Sequence, residues 1–308
     1  MDNTNRSTPQ TNGVKNVSAE ALKKAARKER MRMFWRTVFK RKVAVLGAVG
    51  VVLFVLIAIF ADIISPYDPN VTEPYSINQA PNAAHWLGTD NFGRDVLTRM
   101  IYGARVSLII GVCAVCIACV IGVFLGLCCA YFRGWVDVIV MRICESLNSI
   151  PNTVLTMSLT TIFGTGLHNL AIILGISLIP AFVRMMRAQA LSVSRQDYVT
   201  AGQVQGFGDF YLILRHILPN AISPIIVMLT QQVGHTILLE AGLSFIGVGI
   251  KVPNASWGSM INEGKSYLLT NPTPAIAPGV CIALLVICLN LLGDGLRDAM
   301  DPRLRGEV

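Results

Sequence analysis

Charged residues are missing from five long stretches of the chain. These are 43–61 (19 residues), 106–132 (27), 146–183 (38), 217–239 (23) and 266–293 (28). A helix needs about 20 apolar residues to cross a bilayer. The 38-residue stretch is interrupted by Pro151, by Gly164-Thr165-Gly166-Leu167-His168-Asn169 and by Pro180, so it holds two spans joined by a tight turn. In the last stretch the spanning part starts near Pro274. The pattern predicts an all-α membrane protein with six transmembrane helices. Residues 43–61 form too long an apolar run, behind too long a basic region, for a signal peptide. No Ala-x-Ala follows them, so the segment reads as uncleaved.

The polar positions set the orientation. Residues 1–42 carry 12 of the 26 Lys and Arg. With the amino terminus inside, the inner segments collect 21 Lys and Arg and the outer segments 5. Basic residues stay on the cytoplasmic side, so both termini are expected there. Arg94, Arg99 and Arg105 are outer exceptions, partly offset by Asp95. The chain then divides into a cytoplasmic basic tail (1–42), a first span with its outer loop (43–105), a core of five spans (106–293) and a cytoplasmic carboxy-terminal tail (294–308). Residues 1–17 are rich in Asn, Thr, Ser and Gln and are expected to be disordered. Residues 18–42 alternate Lys and Arg with Ala21, Leu22, Phe34 and Trp35. That suits a helix lying on anionic membrane lipid, or an ordinary solvated helix.

Composition agrees. Apolar residues make up 53% of the chain and charged residues 14%, against roughly 25% charged in soluble domains. A soluble enzyme, a disordered chain and a fibre are all disfavoured. The net charge of +8 belongs to the tail, since residues 43–308 hold 14 basic against 15 acidic groups. No nucleic-acid partner is implied. Eight cysteines lie in or beside the apolar runs, and Cys113, Cys116 and Cys119 read as small hydrophobes rather than metal ligands.

One inner loop, 184–216, is large, and it sits in the middle of the bundle, where a partner is expected. The segment Asp197-Tyr-Val-Thr-Ala201-Gly202-Gln-Val-Gln-Gly206-Phe-Gly-Asp-Phe210-Tyr211 predicts a short helix over 198–205, a glycine bend and a second amphipathic turn. Ala201, Gly202 and Gly206 make a small-residue patch that lets another backbone approach. Phe207, Phe210 and Tyr211 supply aromatic anchors. A plain amphipathic connector is the competing reading.

With its Leu218-Pro219 ending, this block resembles the signature of permease subunits of binding-protein-dependent ABC importers. Thr200 and Gly202 depart from the usual Glu-Ala-Ala start. The run Leu87-Gly-Thr-Asp90 through Arg94-Asp95 to Arg99, and Leu292-Gly-Asp294 through Arg297-Asp298 to Asp301-Pro302, are similar to blocks of the dipeptide, oligopeptide and nickel "C"-type permeases. The resemblance implies a multi-pass protein of the bacterial cytoplasmic (inner) membrane. It implies a coupling helix between spans 4 and 5, carried by Tyr198, Thr200, Ala201, Gly202, Gly206, Phe207 and Phe210, that rests on a cytoplasmic ATPase. It further implies a homologous second permease subunit, two ATP-binding subunits and an extracytoplasmic solute-binding protein. ATP and magnesium would sit on those partner ATPases, with no cofactor on this chain. The expected cargo is a di- or oligopeptide, with nickel or another small solute as the alternative.

The chain shows no catalytic or nucleotide motif of its own. Ser259-Met-Ile-Asn-Glu-Gly264-Lys265-Ser266 approaches a phosphate loop but has Ser259 in place of the first glycine. Polar side chains within spans mark candidate paths. Asn152, Thr156 and Thr160 recur every four residues, and Gln231 and His235 are one turn apart. Both sets are expected to line the translocation path, against a reading in which they pack helix to helix. An ion-coupled carrier would need more buried carboxylates than the single Glu240 near the fifth span. His216 reads as an interfacial residue, His85 and His168 form no site, and Arg142 and Glu145 are spaced to pair on one face.

Overall fold

The computed structural model describes residues 41–300. The expected surface helix of the amino-terminal tail and the last eight residues lie outside them. Among the described residues the regular structure is helical: α1 (Lys42–Ile59), α2 (Val96–Phe132), α3 (Gly134–Asn148), α4 (Asn152–Phe163), α5 (Leu167–Ser194), α6 (Asp197–Val204), α7 (Ser223–Phe245), α8 (Trp257–Gly264) and α9 (Thr273–Met300). Four of these, α1, α2, α5 and α9, are long and apolar enough to cross a membrane. A fifth arises when α7 is taken with the helical segment Asp209–Ala221, which meets it at 60°.

Helix ends differ from the charge-free runs, and each difference has a cause. α2 starts ten residues earlier than expected, at Val96. Asp95 caps it, its carboxylate accepting the Thr98 amide at 2.7 Å. The arginines do not end the helix because each has a partner. Arg105 reaches Asp62 at 2.9 Å and the carbonyl of Ala58, near the end of α1, at 2.8 Å. Asp95, expected to offset the arginines, instead meets His85 at 3.0 Å. α5 runs unbroken through Pro180 to Ser194. Inside a packed bundle the carbonyl that a proline frees can find other partners. By contrast Pro151 does end a helix, and α4 has only 12 residues, about 18 Å at 1.5 Å per residue.

The bundle is held by close backbone approach. Ala114, Ala118, Gly122 and Gly126 recur every four residues along α2, on the face toward α5. A Cβ on Gly122 would lie 2.4 Å from the Phe182 Cβ, and one on Gly126 2.8 Å from the Met186 Cβ. Lipid gives little hydrophobic drive between helices, so van der Waals contact over small residues supplies the attraction. Phe182, Met186, Ile237 and Leu285 fill the centre. α9 lies between α1 and α7, and α8 tucks against α7 and α9.

One end of the bundle carries a cap built from residues 65–95 and 246–272. Arg94 joins Asp90 and Glu263, both at 2.6 Å. Arg99 lies 3.5 Å from Asp90 and donates to the carbonyl of Pro69 at 3.1 Å. Trp257, fully buried, donates to the Met100 carbonyl at 3.0 Å. Ser256 and Ser259 form a capping box at the start of α8. The near phosphate loop is therefore a helix, with Ser259 at its third position.

Candidate functional site

The opposite end of the bundle carries α6. Its sequence explains its stop. Gly206 has φ +79°, a conformation suited to glycine. The Phe207 amide donates to the Gly202 carbonyl at 3.1 Å and the Gly206 amide to Gln203 at 3.0 Å. This pair of bonds is a Schellman motif, and the hydrophobic contact that accompanies it is made by the Phe207 ring over Gly202. A Cβ on Gly202 would meet the Leu212 Cδ2 at 2.9 Å and the Phe207 Cδ2 at 3.2 Å. Gly202 is thus packed by its own chain, not left open for another protein, unlike Ala201 and Gly206, which are exposed. Val199, fully buried, pins the helix to the bundle.

Around this turn the aromatic side chains gather. Phe207 and Tyr211 pack edge to face at 5.3 Å. His216 sits among them, stacked with Phe207 at 6.4 Å, 5.5 Å from Tyr211 and 6.3 Å from Tyr198. The outer faces of Tyr198, Phe207, Phe210 and Tyr211 remain exposed, Phe210 at 72%. Thr200 is exposed beside them. The hydroxyl of Tyr131, at the end of α2, donates to Asp209 at 2.6 Å. The sequence held no local signal for this tie, because 78 residues separate the two. Beyond the patch, Pro219 cannot donate to Arg215 and its ring crowds that carbonyl. The chain passes through a π turn, Ile213–Ile217, before α7 begins. Pro219 lies at the start of the short helix Leu218–Ala221, and Pro224 occupies the first turn of α7.

The two polar stripes have different fates. Thr156 and Thr160 are buried, and their hydroxyls donate to the carbonyls of Asn152 and Thr156, one turn back. Asn152 is half-buried at the start of α4. Gln231 lines a cavity of about 630 Å³ at the α6 end of α7, with Gln232, Met228 and Arg297 among its neighbours. His235, one turn on, is exposed. Glu240 is fully buried and accepts from Ser244 at 2.7 Å and Ser107 at 3.3 Å. It ties α7 to α2. Arg142 pairs with Glu145 at 2.9 Å on an exposed face, and Asp137 with Arg187 of α5.

The family model described as "Binding-protein-dependent transport system inner membrane component" matches residues 118–306. A second, "N-terminal TM domain of oligopeptide transport permease C", matches residues 29–81. The glutathione transport system permease protein GsiD of Pectobacterium atrosepticum is 40% identical over 275 residues, covering 89% of this chain and 91% of the relative. Proteins of the same name from Escherichia coli O6:K15:H31 and Shigella boydii serotype 4 are each 40% identical over 274 residues, covering 89% of this chain and 90% of each relative. The chain belongs to the binding-protein-dependent inner-membrane components, as an ABC importer permease of the oligopeptide type whose ATPase is a separate subunit.

Proposed function

We propose that this permease moves small peptides, delivered by an external binding protein, into the cytoplasm. Glutathione-like peptides fall within that class, since the similar proteins are named for glutathione transport. Six crossings are inferred: α1, α2, the broken pair α3–α4, α5, the bent segment ending in α7, and α9. Both termini then lie inside, and the cap faces outward. Residues 146–163 carry no charge, which supports a crossing by α4 with the last turn of α3. A homologous second permease and two ATPases complete the transporter.

The observation that carries this reading is the exposed aromatic platform on a helix braced at both sides. Val199 and the Tyr131–Asp209 bond tie residues 198–210 to α5 and α2, so a push on the platform moves spans rather than a loose loop. Two-state motion passed through such packed elements is a common switching device. Gln231 and His235 belong to the solute path in this reading. The threonines of α4 belong to helix packing, their hydroxyls already engaged.

The test is isolation of the complex from mild detergent, followed by reconstitution with the loaded binding protein. ATPase chains should travel with this one, and peptide uptake should require ATP. Uptake that persists without any ATPase subunit would falsify the assignment.

A further inference from the structure

The cavity beside α7 combines three kinds of side chain. Met185, Met228 and Met300 form an apolar wall from three helices, Gln231 and Gln232 add amides, and Arg297 of α9 adds a cation. Ser223 and Pro224, the first residues of α7, close the same end. At about 630 Å³ the cavity falls in the range of small-molecule sites. The nearby Asp298 carboxylate is engaged by Arg41 at 2.5 Å.

We infer that this cavity is a transit site for a small peptide with a free carboxyl terminus, its carboxylate held by Arg297. This rests on the peptide reading above and adds to it a site and a recognised group. A guanidinium presents paired N–H groups that match a carboxylate. Thioether side chains adapt to differing shapes, which suits a carrier of varied residues. Amides on Gln231 and Gln232 match the peptide backbone. In the proposed topology the cavity lies near the inner mouth, so Arg297 is a late contact before release.

The experiment uses the reconstituted four-subunit transporter with saturated binding protein. It compares a tripeptide free acid with the same peptide amidated at its carboxyl terminus. The readout is peptides delivered per ATP hydrolysed. For Arg297→Gln the free acid should fall about tenfold in this ratio, in line with loss of a charge-assisted bond. ATPase stimulation should persist, the amide should change little, and Arg297→Lys should recover most of the loss. Gln231→Ala should lower the ratio for both peptides alike. Equal losses for acid and amide in Arg297→Gln, an unchanged ratio, or a parallel loss of ATPase activity not rescued by lysine would each overturn the site. Failure of ATP-driven uptake in the unaltered complex would instead overturn the transport reading beneath it.

Discussion

Arg94 and Glu263 are 169 residues apart in sequence, yet their side chains meet at 2.6 Å with Arg94 almost wholly buried. The pair locks the loop before α2 to helix α8, so the two halves of the cap move as one piece. Arg94 also pairs with Asp90, which Arg99 approaches in turn. Removing Glu263 therefore leaves one uncompensated positive charge in this cluster, at a cost of up to about 3–5 kcal/mol, whereas replacing Arg94 and Glu263 together leaves Asp90 balanced by Arg99 and is much milder. Glu263→Ala should therefore lower the thermal stability of the purified complex strongly, and Arg94→Met with Glu263→Met should lower it less. A double variant as destabilised as the sum of its two single methionine variants would show that the pair is not coupled.

Ala201 and Gly202 are neighbours with opposite exposures, and they separate folding from coupling. Ala201→Glu places a charge on the exposed platform, and its effect on stability should stay within about 0.5 kcal/mol. In the proposed coupling role ATP-driven uptake should be lost nonetheless, because the charge would be trapped where the platform is proposed to meet the ATPase. Gly202→Val pushes against Phe207 and Leu212 and should cost roughly 1–3 kcal/mol by overpacking. Limited proteolysis of the α6 region reads the second effect, and uptake reads the first.

At Gly206 the backbone matters more than the space, since nothing lies within 4 Å of an added Cβ. Gly206→Ala should cost about 1–2 kcal/mol for the left-handed conformation, and Gly206→Asn less, because asparagine tolerates it. If alanine and asparagine destabilise equally in a thermal melt, strain at this turn is not the cause.

Gly122 and Gly126 carry the α2–α5 contact. Gly122→Leu should still insert, yet the chain should aggregate on extraction, since its Cβ collides with Phe182. Size-exclusion profiles in mild detergent report this. An unchanged monodisperse peak would remove the close-packing argument.

Asp62 gives a pH dependence. Its hydrogen bonds from Arg105 and Tyr102 hold its carboxyl below the ordinary value of 3.8. A carboxylate lowered on folding contributes stability that is complete above its unfolded value and is lost as pH falls through its folded one. The complex should thus lose this link only in acid, below about pH 4, so Asp62→Asn should be less stable than the parent at pH 7 by a difference that fades in acid, where its profile is flatter. A difference that stays the same size from pH 7 down into acid would exclude Asp62 as the source of the pH dependence.

Read alone, the residue pattern already carries the helical membrane architecture. Apolar runs of bilayer length report their own burial in lipid, and no long-range contact is needed to see them. The stop of α6 was equally local, because Gly206 needs a conformation that few other residues adopt. Other features required the folded chain. The early start of α2 was hidden because Arg99 and Arg105 look like span-ending charges until Asp90, Asp62 and the end of α1 are brought to them. Thr156 and Thr160 share a face in any helix, but only the folded chain shows that this face is buried and that their hydroxyls donate to the preceding turn. Gly202 seemed open until Leu212 and Phe207 covered it. Arg297 and Gln231, far apart in sequence, became one cavity wall when α7 and α9 packed together. Local periodicity reports which environment a segment prefers. Which charges are paired, and which surfaces stay free, depends on distances between segments that no local pattern encodes.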